Sequence, residues 1–160
     1  MKALVVYESM FGNTAQLAQV IADDLRTLGT VTLADVQSGM PSFEGIELLV
    51  VGGPTQVHGV SPGLRTLLDQ LPPGALNGVQ AAAFDTRVSG PRWLTGAASI
   101  GIAKRLKQKG AHLIMPGESF IVDGREGPLA EDEIDRAHVW VAGLVSALAP
   151  TSPTPAPVRA

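Results

Sequence analysis

Polar side chains able to hold an anion follow a short apolar run near the start of the chain. Ser9, Asn13 and Thr14 lie around Gly12, directly after the run that ends at Tyr7. Hydroxyls, an amide and the free N–H groups at the start of a helix can bind a phosphate without a lysine or arginine. The spacing therefore predicts a phosphate-binding turn between a strand and a helix, and an ordinary capped turn is the alternative interpretation.

Two further loops carry polar side chains directly after apolar runs. The segment 52–59 reads Gly-Gly-Pro-Thr-Gln-Val-His-Gly, and the segment 85–87, after Phe84, reads Asp-Thr-Arg. Ligands of parallel α/β sheets bind beyond the carboxyl ends of the strands, where such loops meet. We therefore expect the three loops to form one site. An ion pair between Asp85 and Arg87 that only braces the third loop is the alternative to a ligand contact there.

The sequence lacks the motifs of several other kinds of functional site. No Gly-x-Gly-x-x-Gly follows a strand, and no Gly-x-x-x-x-Gly-Lys-Ser/Thr is present, which argues against a nicotinamide Rossmann site and a P-loop. The chain has no cysteine, which excludes disulfides, thiolate metal sites and cysteine nucleophiles. Its three histidines are isolated and lack metal-ligand spacing. We therefore assign no metal ligand and no catalytic side chain.

Apolar runs alternate with helical periodicity along the chain and predict five strands and four helices. The predicted strands cover 3–7, 31–36, 46–51, 79–84 and a fifth made of 112–115 and 119–122, interrupted at Pro116-Gly117. The first helix is predicted to end at Gly29, the second to begin at Ser61-Pro62, the third to cover 96–109 and the fourth 130–148. The fourth has a predicted inward face of Ile134, His138, Val141, Val145 and Leu148. This alternation predicts one doubly wound domain, a parallel sheet with helices on both faces.

Length and composition are those of one globular domain. The chain has 160 residues, 45% hydrophobic and 17% charged, and can bury a core without disulfides. We expect the domain to cover residues 1–149 and a proline-rich, flexible tail to cover 150–160, where four of 11 residues are proline. No apolar run is long enough to span a bilayer, and the N-terminus does not resemble a signal peptide. We therefore expect a cytoplasmic protein without a membrane contact.

The charge is small overall but unevenly distributed. A net charge of −3 does not suit a nucleic-acid-binding protein. Six of the 12 lysines and arginines lie between residues 85 and 110 with one acidic residue, which gives this stretch a charge of +5. A solvated helix face is one interpretation, and attraction of a nucleotide phosphate or an acidic protein is the other.

The first loop and its flanks, from Val5 to Ala18, resemble the flavodoxin-like FMN-binding family. The resemblance extends over about residues 2–148 and implies a flavodoxin-like, doubly wound five-stranded parallel sheet with strand order 2-1-3-4-5. It also implies FMN as the cofactor, with its phosphate in the first loop and its isoalloxazine ring beside the second and third. The residues that match the cofactor-binding positions of the family are Ser9, Met10, Phe11, Gly12, Asn13, Thr14, Pro54, Thr55, Gln56, Val57, His58, Gly59, Asp85, Thr86 and Arg87.

The sequence departs from flavodoxins proper in its aromatic residues. Phe11 stands where they usually have a hydroxyl residue, and an aromatic there resembles the quinone reductases of the tryptophan-repressor-binding-protein type. The second loop has no tryptophan and the third no tyrosine to stack on the ring. Val57 or His58 then covers one face of the ring. Trp93 is the nearest aromatic for the other, with packing against the third helix as its alternative role.

The resemblance implies an FMN-binding redox protein that transfers electrons or hydride equivalents. Two forms of this function stay open. One is an electron carrier that serves a redox partner protein, and the other is an NAD(P)H:acceptor oxidoreductase of quinone type that uses a small acceptor. A flavin-free interaction module that keeps the fold is a further alternative, because the stacking aromatics are missing from both ring loops.

Overall fold

A parallel sheet forms the centre of the protein, whose computed structural model describes residues 1–148. The strands are β1 (Lys2–Tyr7), β2 (Thr30–Asp35), β3 (Leu48–Gln56), β4 (Gly59–Val60), β5 (Gln80–Val88), β6 (His112–Leu113) and β7 (Glu118–Val122). The helices are α1 (Asn13–Leu25), α2 (Pro62–Gln70), α3 (Arg92–Thr95), α4 (Ala98–Gln108) and α5 (Glu133–Ala147). None of these helices is both long and apolar enough to cross a membrane. The predicted tail at 150–160 lies outside the described residues.

The strand order is β2-β1-β3-β5-β6, with β7 pairing β5 beyond β6. All of these pairs are parallel, whereas the two-residue β4 pairs antiparallel with β3 as a hairpin. The predicted order 2-1-3-4-5 is confirmed, because β6 and β7 are the two halves of the predicted fifth strand. The sequence did not predict β4, which is too short to show an apolar pattern, or the single-turn helix α3.

Helices cover both faces of the sheet because its central strands are apolar on both sides. In β1, Leu4 and Val6 face a core shared with α2 and α4, and Ala3 and Val5 face a core shared with α1 and α5. The helices contribute apolar stripes with helical spacing, which are Leu64 and Leu68 in α2, Ile102 and Leu106 in α4, and Leu17 and Ile21 in α1. The predicted inward positions of the first three helices are confirmed in these residues.

The predicted inward face of α5 is largely confirmed. Val141 is buried, and Ile134, Val145 and Leu148 are half-buried against the same core, so the prediction is wrong only at His138. His138 is exposed, and the buried apolar residues of the helix are Ala137, Trp140, Val141 and Leu144. Trp140 meets Phe84 and Phe120 edge to face, with ring centroids 6.0 and 6.1 Å apart. An indole buries more apolar area than an isoleucine or a valine, so its packing sets the rotation of the helix.

Phe84 lies across Gly52 in the middle of the sheet. The two residues are direct partners in the neighbouring strands β5 and β3. A Cβ atom at Gly52 would overlap the Phe84 ring. The absence of a side chain at this position therefore makes room for the largest fully buried side chain of the core.

We expect Gly52→Ala to lower the free energy of unfolding by about 1–3 kcal/mol, because an added methyl group forces the Phe84 ring out of a packed core. Urea denaturation followed by circular dichroism measures this change. Gly59→Ala is the matched control, since Gly59 lies in the adjoining hairpin with open space at its Cβ position. It should change the free energy by less than about 0.5 kcal/mol. Equal effects of the two substitutions would contradict the role of the ring contact.

Candidate functional site

A cleft lies at the carboxyl edge of the sheet, where β1, β3 and β5 end beside one another. Tyr7 pairs with Gly52, and Gly52 with Phe84, so the end of β1 lies level with the middle of β3 and β5, which continue past it to Gln56 and Val88. Two adjoining hollows of about 140 and 390 Å³ form the cleft, a size typical of small-molecule sites. The lining residues are Ser9, Met10, Phe11, Asn13, Thr14, Pro54, Thr55, Gln56, Val57, Thr86, Arg87, Val88, Thr95, Val122 and Arg125.

The first loop directs two backbone N–H groups at one oxygen atom. Gly12 immediately precedes α1 with a φ of 91°, a left-handed conformation that glycine adopts without strain. The N–H groups of Gly12 and Ala15 donate to Ser9 Oγ at 3.1 and 3.2 Å. The start of α1 therefore presents converging donors, the arrangement in which helix N-termini bind anions.

Hydrogen bonds join the first loop to two other parts of the cleft. The hydroxyl oxygens of Thr14 and Thr86 are 2.9 Å apart, and both side chains are almost fully buried. Asn13 Nδ2 donates to the carbonyl oxygen of Glu126 at 3.1 Å. These contacts fix the start of α1 relative to the end of β5 and to the segment after β7.

The second loop ends in a two-residue turn, Val57 and His58, between the paired residues Gln56 and Gly59. Both turn residues have positive φ values, 46° and 65°. Turns of this kind favour asparagine and glycine, so the β-branched Val57 is strained there. Val57 is 98% exposed and lines the cleft together with Gln56. The His58 backbone instead lies against Gly96, where a Cβ atom would overlap it.

Asp85 lies beneath the cleft and faces the start of α4. Its side chain is fully buried, and Oδ2 accepts a hydrogen bond from the Ser99 N–H at 2.7 Å. The other oxygen, Oδ1, and the hydroxyls of Ser99 and Ser119 have no hydrogen-bond partner among residues 1–148. Burial raises the pKa of Asp85, and the Ser99 N–H is the main influence that lowers it.

Arg87 lines the cleft as a cation without a counter-ion. Its Nη1 donates to the Gly90 carbonyl at 2.7 Å and to Thr95 Oγ1 at 3.2 Å. No ion pair with Asp85 or another described carboxylate forms, and the guanidinium Nε is buried without a partner. The loop therefore holds Arg87 through carbonyl and hydroxyl oxygens, and the charge of Arg87 lowers the pKa of the nearby Asp85 without a direct contact.

Large apolar side chains of the first loop and of α3 are exposed. Trp93 on α3 is 85% exposed, so it does not pack against α4, which was its predicted alternative role. Leu94, Met10 and Phe11 are between 43% and 56% exposed. Of these apolar residues, Met10 and Phe11 line the cleft, and α3 contributes Thr95 to its lining.

Eleven of the fifteen residues predicted as ligands line the cleft. The other four do not, and they are Gly12, His58, Gly59 and Asp85. Gly12 allows the left-handed turn before α1, His58 lies against Gly96, and Asp85 faces Ser99. Gly59 lies in the hairpin beside the cleft. Sequence reasoning missed Arg125, which lines both hollows. Its signal is a run of turn-forming residues with one cation, Asp-Gly-Arg-Glu-Gly-Pro, directly after a strand that ends at the same edge.

The segment Gly-Val-Ser-Pro-Gly at 59–63 has the spacing of a hydrolase nucleophile turn. The structure excludes that role for Ser61. Its side chain is fully buried, and its hydroxyl donates to Glu8 Oε2 at 2.5 Å. Glu8 Oε2 also accepts the N–H of Leu64 at 2.7 Å. Ser61 and Glu8 therefore serve the start of α2, away from the cleft.

Comparisons with known proteins agree with this fold. A family model described as Flavodoxin matches residues 5–140. Oxidised flavodoxin 1 from Bacillus cereus is 21% identical, with a TM-score of 0.77 over 93% of this chain and 100% of its own. A WrbA-like flavodoxin from Agrobacterium tumefaciens is 15% identical, with a TM-score of 0.68 over 91% and 95%. A Fusobacterium nucleatum flavodoxin solved with flavin mononucleotide bound is 15% identical, with a TM-score of 0.69 over 92% and 99%.

We expect Asp85→Asn to raise the free energy of unfolding at neutral pH by about 1 kcal/mol, because a neutral amide keeps the Ser99 N–H bond and can donate to a buried hydroxyl. The folded-state pKa of Asp85 is raised, so the stability that this group contributes is fully present below its unfolded pKa. That stability is lost as the pH rises through the folded pKa. The advantage of the variant should therefore shrink on acidification, which urea denaturation at several pH values measures.

Asp123→Asn, in an exposed loop, is the control for this experiment and should show no such pH-dependent gain. An Asp85→Asn variant whose free energy of unfolding is lower than that of wild type by the same amount at every pH would contradict this prediction. It would show that the buried charge of Asp85 does not oppose folding.

Proposed function

The chain belongs to the flavodoxin family, and from that premise we propose that it binds FMN in the cleft and transfers electrons through it. One observation carries the proposal. A single cleft joins the converging donors of the first loop, the apolar side chains of the second and two arginines, and no aspartate or glutamate lines it within the described part of the chain. A phosphate monoester on an apolar ring system complements such a surface.

The donor set fits FMN at both ends. Ser9, Asn13 and Thr14 and the N–H groups at the start of α1 suit the phosphate. Met10, Pro54 and Val57 offer apolar surface to the isoalloxazine ring. Bound FMN would supply reversible one- and two-electron chemistry, whereas the protein sets its affinity and potential. The lining residues thus act by holding the cofactor and shaping its electrostatic surroundings.

The electron donor distinguishes two forms of this function. Arg87 and Arg125, which line the cleft, favour an anionic donor such as NAD(P)H over a basic partner protein. In that form NAD(P)H loses two electrons and one proton, and a quinone-type acceptor gains both electrons with two protons, the second from solvent. Direct oxidation of NAD(P)H by the purified FMN-loaded protein supports the enzyme. Its absence favours an electron carrier with a redox partner protein.

The flavin-free alternative has one observation in its favour. Trp93 does not cover the cleft, and the second loop offers Val57 in place of an aromatic residue. A protein that shows no flavin absorption after addition of FMN and desalting would support an interaction module with this fold.

We expect the protein to bind FMN in preference to riboflavin, because the donors of the first loop need the phosphate to accept from them. Thr14→Val should weaken FMN binding by about 1–3 kcal/mol, since it removes one donor and leaves the buried Thr86 hydroxyl without its partner. Quenching of flavin fluorescence measures both affinities. Thr66→Val on the exposed face of α2 is the control and should bind FMN like wild type. Equal affinities of the wild type for FMN and riboflavin would refute the proposed site.

We expect Arg87→Gln to make the two-electron midpoint potential of bound FMN more negative by tens of millivolts. A positive charge in the cleft stabilises the additional negative charge of the reduced flavin, and glutamine removes it. Potentiometric titration of both proteins measures the shift. Arg92→Gln is the control, because Arg92 is exposed and does not line the cleft. An unchanged potential would leave Arg87 only as a brace of the segment up to Thr95.

A further inference from the structure

A short hairpin after β7 carries an arginine to the edge of the cleft. We call residues 122–129 the Arg125 hairpin. Val122 and Leu129 form an antiparallel bridge, and the Asp123 N–H donates to the Pro128 carbonyl at 2.8 Å. The Gly127 N–H donates to the Gly124 carbonyl at 3.2 Å, so Arg125 is the second residue of a four-residue turn. Its backbone position is therefore set by the hairpin.

The Arg125 hairpin packs against the first residue of α1. Besides the bond from Asn13 Nδ2 to the Glu126 carbonyl, Gly127 lies so close to the Asn13 side chain that a Cβ atom there would press on it. Arg125 lines the same hollow as Ser9, Asn13 and Thr14. It is thus placed beside the hydroxyl and amide side chains of the first loop.

The charge of Arg125 is uncompensated. Its side chain forms no ion pair or hydrogen bond with any residue from 1 to 148, whereas Arg26, Arg105 and Arg136 pair with carboxylates. Asp123 and Glu126 lie next to it in the chain but do not line the cleft. A fixed hairpin that presents a free guanidinium to a hollow with hydroxyl and N–H donors is arranged to receive an oxyanion.

We propose that Arg125 is a charge partner of the terminal phosphate of FMN and a determinant of its selection over riboflavin. The inference rests on the proposed function. The first loop alone offers neutral donors, which bind a phosphate without a formal opposite charge. Arg87 lines the same hollow, but its Nη1 already donates to the Gly90 carbonyl and to Thr95 Oγ1, whereas Arg125 makes no such contact among residues 1–148. A guanidinium adds a charge-assisted, directional contact, and it makes the affinity fall as the salt concentration rises.

The test compares binding of FMN and of riboflavin by the full-length apoprotein, using flavin fluorescence at low and high NaCl. The variants are Arg125→Gln, Arg125→Lys and the control Arg92→Gln, which removes an exposed arginine outside the cleft. We expect Arg125→Gln to lower the ratio of FMN to riboflavin affinity by about tenfold to a hundredfold and to reduce its salt dependence. Riboflavin affinity should stay unchanged. Arg125→Lys should keep part of the wild-type ratio of FMN to riboflavin affinity, and the control Arg92→Gln should keep the whole ratio.

The other outcomes overturn the inference in distinguishable ways. A wild-type protein that binds FMN, with the same affinity ratio and salt dependence in Arg125→Gln, refutes the role of Arg125 and leaves the proposed function standing. The same result with a raised KM for NAD(P)H assigns the guanidinium to a second anionic ligand instead. Equal losses of FMN and riboflavin affinity, with a lowered melting temperature, show a structural role only. A wild-type protein that binds neither flavin refutes the proposed function and the inference together.

Discussion

The contact between the Phe84 ring and Gly52 holds the floor of the cleft in place. It joins the two central strands level with the end of β1, and both strands continue beyond it to Gln56 and Val88. The same ring meets Phe120 and Trp140 edge to face, so β7 and α5 belong to the same packed cluster. Two walls of the cleft begin within two residues of this contact. A shift of the ring would therefore move the second and third loops relative to each other.

The electrostatic character of the cleft depends on where the nearby acids are directed. Glu8 directly follows β1 and Asp85 lies within β5, yet neither lines the cleft. Glu8 accepts the N–H of Leu64 at the start of α2, and Asp85 that of Ser99 at the start of α4. Each carboxylate thereby stabilises a helix on one face of the sheet. Their removal from the cleft leaves Arg87 and Arg125 to set its potential.

Local sequence patterns were sufficient to predict the parts of the fold that depend on nearest neighbours. The central strands are continuous apolar runs, and the first loop combines glycine, hydroxyls and a helix start, so both were correctly predicted in position. The inward place of Trp140 in α5 was not, because it depends on the indole meeting aromatic rings from distant strands. The direction of Asp85 depends likewise on the position of α4, and the place of Arg125 on a hairpin held by Asn13. Such contacts join residues far apart in sequence, and a single chain gives no local sign of them.

The walls of the cleft differ in how firmly the backbone is held. Side-chain hydrogen bonds tie the start of α1 to β5 and to the segment after β7. The tip of the second loop instead has Val57 in a left-handed conformation, almost entirely in solvent, with a strain of about 1–3 kcal/mol. Any rearrangement that lets Val57 return to an ordinary backbone conformation releases this energy. The second loop therefore stores strain. A ligand that changes its conformation pays a smaller free-energy cost there than for a change of the first or third loop.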